Sequence, residues 1–112
     1  MKIIKNGYRD ILNELVLKEA TQFVIENACV QNGFAIIRGW VKANWEGVFN
    51  QTVLPAKYYP YVKTDGVISY ISTANDNNKL QCVRIDTTGK LYIWCPIKLT
   101  MQESFQIMYP LK

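Results

Sequence analysis

The fold is decided by a hairpin that reads FVIENACVQ at residues 23–31, NG at 32–33 and FAIIRGWVKA at 34–43. Both flanks are rich in β-branched and aromatic residues, and the Asn32-Gly33 pair between them is the strongest short signal for a two-residue hairpin turn. Gly39, in the middle of the second flank, predicts a bulge or a close approach of another backbone. The stretch therefore predicts two antiparallel strands.

Short apolar runs separated by turn residues continue to the end of the chain. Prolines, the Asp65-Gly66 pair, the Asp86–Gly89 turn and an asparagine-rich loop separate these runs, and each favours a turn for a local steric reason. Seven or eight strands at intervals of roughly 8–12 residues are typical of a β-sandwich or a barrel. Beyond the hairpin we expect strands over 48–54, 67–73, 79–85, 90–95 and 104–109, an extended crossing segment over 58–61, and turns at 65–66, 75–78 and 86–89.

The N-terminal segment, residues 1–21, differs from the β-rich domain expected over residues 22–112. Its apolar residues recur at the spacing of one helix face, after a turn at residues 6–7. The same letters also allow an extended arm, because polar residues closely bound the run 15–17. The segment is therefore a short helix or an arm, and the residues at helical spacing are Tyr8, Ile11, Leu12, Leu15 and Val16.

The composition is that of one folded domain without the usual catalytic side chains. The chain has 112 residues, of which 49% are hydrophobic and 20% charged, with a net charge of +4 and no histidine. The missing histidine removes the usual triad base and the commonest zinc ligand. No nucleophile motif, calcium loop or glycine-rich phosphate loop is present. We expect no enzyme activity, no cofactor and no metal, and no apolar run is long enough to span a membrane.

The three cysteines, Cys29, Cys82 and Cys95, form no Cys-x-x-Cys pair. Each lies among apolar residues, which favours three small buried side chains in a protein made in a reducing cytoplasm. A disulfide between two strands stays open at this stage, because sequence alone cannot pair them.

The two faces of the predicted strand over 34–41 are both apolar. Phe34, Ile36 and Trp40 alternate with Ala35, Ile37 and Val41, whereas a half-exposed sheet carries polar residues on one face. We expect a second buried face, most simply a subunit interface in a symmetric oligomer. The alternative is a deeper core covered by the N-terminal segment.

Aromatic residues beside polar ones are the candidate binding groups. Trp40 and Trp94 lie within predicted strands and are expected in the core, but Trp45 lies in a turn between an amide and a carboxylate. This arrangement suits stacking on a sugar with hydrogen bonds to its hydroxyls, although Trp45 could instead fold back over the end of the domain. The lysines do not cluster, which argues against single-stranded nucleic acid. The predicted saccharide site comprises Trp45, Asn44, Glu46, Asp76 and Asn78, with Tyr59 and Tyr61 as lower-ranked neighbours.

Three stretches carry a resemblance to a known family. They are IRGWV at 37–41, TVLPAKYYP at 52–60 and VRIDTTGKLY at 83–92. Over about residues 22–112 the chain resembles the C-terminal head domains of receptor-binding, tail-fibre and baseplate proteins of phages that infect Gram-positive bacteria. Lys57 and Tyr59 stand where that family often has glycine and arginine.

The resemblance implies a jelly-roll-like β-sandwich that forms a homotrimer and binds a host cell-surface saccharide without catalysis. It also implies contacts with other tail or baseplate proteins and a place at the phage tail tip, after synthesis in the bacterial cytoplasm. The alternatives are a trimeric assembly or tip domain with no ligand, or a β-barrel that binds single-stranded nucleic acid.

Overall fold

The computed structural model describes residues 7–62, 64–67, 82–96 and 98–111, with the backbone alone at 65–67 and 82. These residues form strands and two single-turn 3-10 helices, with no α-helix among them. The strands are β1 (Arg9–Asp10), β2 (Phe23–Gln31), β3 (Phe34–Val41), β4 (Gly47–Thr52), β5 (Thr64–Val67), β6 (Cys82–Ile85), β7 (Lys90–Cys95) and β8 (Glu103–Pro110), and the 3-10 helices are η1 (Leu12–Glu14) and η2 (Ala56–Tyr58).

The described strands form two antiparallel sheets of four strands each. The first has the order β1-β2-β3-β8 and the second the order β4-β7-β6-β5. Their inner faces share one hydrophobic core, in which the Phe23 and Phe49 rings, one from each sheet, meet edge to face at 4.9 Å. The expectation of an all-β chain built from antiparallel sheets is confirmed, and the arrangement is compatible with a β-sandwich.

The predicted hairpin is confirmed as β2 and β3. Asn32 and Gly33 both have positive φ, 54° and 83°, as a tight two-residue turn with the right twist requires. The pairing slips by one residue between Ile25 and Asn27, so the bulge lies on β2. Gly39 stands opposite Ile25, and a Cβ at this position would collide with the Val24 carbonyl oxygen. The glycine is needed because the bulged strand passes too close for any side chain.

Over the residues described, the N-terminal segment is an arm along the two sheets, and its helical part is the single 3-10 turn η1. The Ile11 amide donates to the Ala28 carbonyl at 2.9 Å, and the Val16 amide donates to the Val53 carbonyl at 2.8 Å. Within the described part of the arm, local helical bonds form only in η1, where the Glu14 amide donates to the Ile11 carbonyl at 2.9 Å, and a longer isolated helix here would be marginal in water. Ile11 and Leu15 enter the core, whereas Val16, on the predicted helical face, is exposed.

Two local predictions were wrong. The segment 58–61 was expected to be extended, but Tyr58 ends η2, a turn that follows Pro55, and the chain is extended only from Tyr59. The Asp65-Gly66 pair was expected to form a turn, but both residues lie within β5, where they pair with Arg84 and Val83 of β6. Tertiary pairing outweighs the turn preference of these two residues.

Several expected elements lie partly or wholly outside the described residues. The strand over 67–73 is described only at Val67, and the strand over 79–85 only from Cys82. The loop at 75–78 lies outside the described residues. Over the part of the chain that is described, no helix has the length and apolar character needed to cross a membrane.

Candidate functional site

The turn from Asn44 to Glu46 holds its tryptophan against the end of the domain. Asn44 adopts a φ of 70°, and its amide donates to the Leu99 carbonyl at 2.9 Å. The indole N–H of Trp45 donates to the Gln22 carbonyl at 3.1 Å, and its half-buried ring packs against the core. Trp45 therefore folds back over the domain end, while Asn44 and Glu46 are exposed.

The predicted tyrosines lie at the other end of β4. This strand runs from Gly47, next to the tryptophan turn, to Thr52, and Tyr59 follows it. Six strand residues span about 20 Å, so the two groups do not meet in one site. Tyr61 is 62% exposed, and Tyr59 is half-buried. The remaining predicted residues, Asp76 and Asn78, lie outside the described part of the chain.

The two longest stretches of the family resemblance pack against each other. The Gly89 carbonyl accepts hydrogen bonds from the amides of Val53 and Leu54, at 2.9 and 3.3 Å. A Cβ added to Gly89 would lie 2.5 Å from Cε1 of Tyr59 and 3.1 Å from Cβ of Leu54. The 86–89 turn is held by Asp86, whose carboxylate accepts from the Thr88 amide at 2.8 Å. The two stretches thus form one structural unit at this end of the domain.

A group of charged side chains ties the arm to this unit. The Tyr58 hydroxyl and the Lys57 ammonium both donate to Oε1 of Glu14, at 2.8 and 3.0 Å, and Arg9 donates to Oε2 at 3.0 Å. The Tyr58 hydrogen bond, followed by the Lys57 bond, lowers the pKa of Glu14 to about 2. All four groups satisfy one another, so the cluster is an anchor for the arm.

The outer face of the first sheet carries an exposed apolar area, here called the first-sheet surface. It consists of Phe34, Ile36 and Met108 with Gln31 and Asn32, and these residues line a depression of about 330 Å³. Phe34 is 42% exposed and Met108 57% exposed. The outward-facing residues Phe34 and Ile36 of β3 therefore form an accessible apolar area, as predicted, and over the described residues the N-terminal arm does not bury it.

Farther along the outer face of the first sheet, polar side chains lie beside an aromatic one. Arg38 of β3 donates to the side-chain oxygen of Gln106 on β8 at 3.0 Å, and this polar pair separates the first-sheet surface from Trp40. Trp40 is half-buried, opposite Val24 and Ser104. Its predicted placement in the core is wrong, because Gly39 and Val41 take the inward positions beside it and Trp40 faces outward.

The outer face of the second sheet carries a different combination, here called the second-sheet surface. It consists of Trp94 and Tyr92 of β7, Val48 and Asn50 of β4, and Arg84 of β6. Trp94 is 43% exposed and its cross-strand neighbour Val48 is 56% exposed. The Arg84 guanidinium lies 5.1 Å from the centre of the Tyr92 ring. The placement of Trp94 in the core was wrong, because Leu91, Ile93 and Cys95 take the inward positions of β7.

The cysteines follow their positions in the sheets. Cys95 is buried, and burial raises the pKa of its thiol to about 11. Cys29 is only half-buried and is a free thiol whose pKa burial also raises. The side chain of Cys82 lies outside the description. Among the described residues, no group of three or more cysteine and acidic side chains is placed to hold a metal ion.

Comparisons with known proteins identify no family for this chain. No protein-family model matches the chain, and no curated protein is similar to it.

Proposed function

We propose that this chain is a receptor-binding head domain of a phage tail or baseplate protein, a jelly-roll-like homotrimer that binds a host cell-surface saccharide without catalysis. The observation that carries the proposal is the first-sheet surface, where Phe34 and Met108 are exposed on the outer face, away from the core that the described residues form between the two sheets. Apolar surface of this kind on a small domain marks a contact with a partner.

A second copy of the chain is the simplest partner for the first-sheet surface. Each square ångström of apolar surface removed from water contributes roughly 25 cal/mol, so burial of Phe34 and Met108 in three copies favours association. Closed point-group symmetry is the rule for soluble homo-oligomers, and the family resemblance favours three copies over two. Three copies would also present three saccharide sites to one cell surface, so that weak single-site binding becomes firm attachment.

The packing of the two resembling stretches supports the family assignment. Leu54 is fully buried, Pro55 precedes η2, and Gly89 leaves room for the Tyr59 ring. Leu54, Pro55 and Gly89 of the resembling stretches therefore each have a structural role at this end of the domain. In the proposed setting the domain lies at the tail tip, in contact with other tail or baseplate proteins.

Saccharide binding is tested on an array of bacterial wall polysaccharides and teichoic acids, with the purified chain as the probe. The proposal predicts retention on at least one wall glycan and no release of reducing ends from it. Binding to none of them would contradict saccharide recognition and leave a trimeric tip domain as the better account. Retention on single-stranded oligonucleotides that falls steeply with added salt would favour the nucleic-acid alternative instead.

A further inference from the structure

We propose that the second-sheet surface is the saccharide site, and that Trp94 stacks on the flat face of a neutral hexopyranose. The inference rests on the proposed function and says where, and to what class of sugar, the domain binds. The site is one that sequence reasoning missed, because it assigned Trp94 to the core.

Trp94 has the position that a stacking platform needs. It lies on β7, an interior strand of its sheet, so the strand itself is held on both sides by β4 and β6. The alternation of β7 fixes which side chains point outward, and 43% of Trp94 remains exposed there. An aromatic ring on a rigid interior strand loses little conformational freedom when a ligand covers it. Val48, directly across the strand pair, extends the apolar area beside the indole.

Polar groups flank the indole on the same face. Asn50 is exposed and stands across from Tyr92, two positions along β7 from Trp94. Diagonal neighbours in an antiparallel pair lie about 7–8 Å apart, which places the Asn50 amide beside a ring stacked on Trp94. Tyr92, on the same face, adds its phenolic hydroxyl as a second polar group. An apolar plane with an amide at its margin suits a ligand with one apolar face and hydroxyls around its rim.

A hexopyranose with equatorial hydroxyls is such a ligand, since its axial C–H bonds make one face flat and apolar while its hydroxyls lie in the ring plane. Glucose and N-acetylglucosamine units have this geometry. Of the two described cations on this face, Arg84 is held over the Tyr92 ring and Lys90 lies at the opposite end of β7 from Trp94. They do not form a row beside the indole that would track a chain of phosphates. These features favour a neutral glycan over a polyanion.

The other two candidate surfaces fit a sugar less well. The first-sheet surface offers Phe34, Ile36 and Met108 with few polar groups between them, which suits another protein surface. The indole of Trp45 already donates to the Gln22 carbonyl and packs on the core. Only Trp94 combines an exposed indole, a rigid strand and neighbouring polar side chains within the described residues.

The test is calorimetric titration of the whole chain with cellohexaose and with chitohexaose. Loss of the indole removes the apolar plane on which the sugar stacks, so Trp94→Ala should weaken binding by ~10-fold or more, about 1.4 kcal/mol. Asn50→Ala should weaken it by about 3-fold, the loss of one hydrogen bond. Tyr8→Ala is the aromatic control, because Tyr8 is 48% exposed and directly precedes β1 of the first sheet, and it should stay within about 2-fold of the native chain. Trp45→Ala is titrated in parallel as the rival site. If circular dichroism shows that Trp94→Ala misfolds, Val48→Glu tests the same surface from an exposed position.

The outcomes separate this inference from the proposed function. Native affinity in Trp94→Ala together with loss in Trp45→Ala would overturn the inference and leave the saccharide-binding head in place. A native chain that binds only charged wall polymers or oligothymidine would overturn the ligand class. A native chain that binds no glycan, on the array or in the titration, would overturn both.

Discussion

Gly39 lies where β3 passes the bulge of β2, and its missing side chain is a steric requirement. A Cβ would collide with the Val24 carbonyl oxygen and lie 2.9 Å from Cα of Ile25. We expect Gly39→Ala to lower the free energy of unfolding by about 1–3 kcal/mol, because backbone atoms must move to admit the methyl group. Chemical denaturation at fixed protein concentration measures this, with exposed Ser104→Ala as the control. Equal stability of the two variants would contradict the close packing.

Glu14 gives the protein a specific response to acid. Its pKa is lowered from 4.5 to about 2, so the native state holds the carboxylate ionised where the unfolded chain would bind a proton. The stabilisation is therefore complete above about pH 4.5 and is lost as the pH falls toward 2. We expect the native chain to exceed Glu14→Gln in unfolding free energy at pH 7, to lose most of that difference by pH 2.5 and to converge with it below about pH 2.

Denaturation curves at several pH values test this response. Glu46→Gln, in an exposed turn, removes one charge without touching the anchor and controls for net charge. A gap between the native chain and Glu14→Gln that stays constant from pH 7 to pH 2.5 would contradict the role of the Tyr58 and Lys57 bonds.

Two of the tryptophans show how far single residues are predictable. Trp45 was assigned to a turn, and it is there, but its partner, the Gln22 carbonyl, is remote in sequence and could not be inferred. Trp94 was assigned to the core on hydrophobicity, although the alternation of Leu91, Ile93 and Cys95 already pointed the intervening residues outward. The same alternation predicts that Tyr92 and Trp94 face outward, which is the signal in the sequence for the second-sheet surface.

At the scale of elements, the sequence predicts the hairpins and turns that are stabilised by residues close together in the chain. The β2–β3 hairpin follows from its turn residues, and the 86–89 turn follows from the Asp86 side chain that accepts bonds from its own loop. The course of the N-terminal arm does not follow from local signals, because two of its backbone hydrogen bonds go to Ala28 and Val53, which are remote in sequence. A pattern of apolar residues that fits a helix cannot reveal that strands elsewhere offer better partners.

One buried hydrogen bond fastens η2 to the first sheet. The Tyr109 hydroxyl on β8 donates to the Tyr58 carbonyl at 2.8 Å, and Tyr109 is only 1% exposed. Tyr109→Phe leaves this carbonyl without its donor, and we expect a loss of about 1–3 kcal/mol in the free energy of unfolding. Thermal and chemical denaturation measure it, with exposed Tyr61→Phe as a matched control expected within about 0.5 kcal/mol of the native chain. A Tyr109→Phe variant as stable as the control would show that the bond does not hold η2.

At the scale of the whole molecule, three groups of apolar side chains stand out among the described residues. One group fills the core between the two sheets, as the alternation of the strands requires. The other two lie on the outer faces, where the first-sheet surface is aliphatic and aromatic and the second-sheet surface mixes Trp94 with polar side chains. We assign the first to contacts between copies of the chain and the second to saccharide, so that association leaves the binding face open.

The central claim, that the domain works as a homotrimer, is tested most directly by the molar mass in solution. Multi-angle light scattering on the native chain should give about three times the subunit mass of 12.9 kDa. The double variant Phe34→Ser, Met108→Ser alters only exposed side chains and should give the mass of a single folded chain. A native chain that elutes as a clean monomer at micromolar concentration would contradict the account.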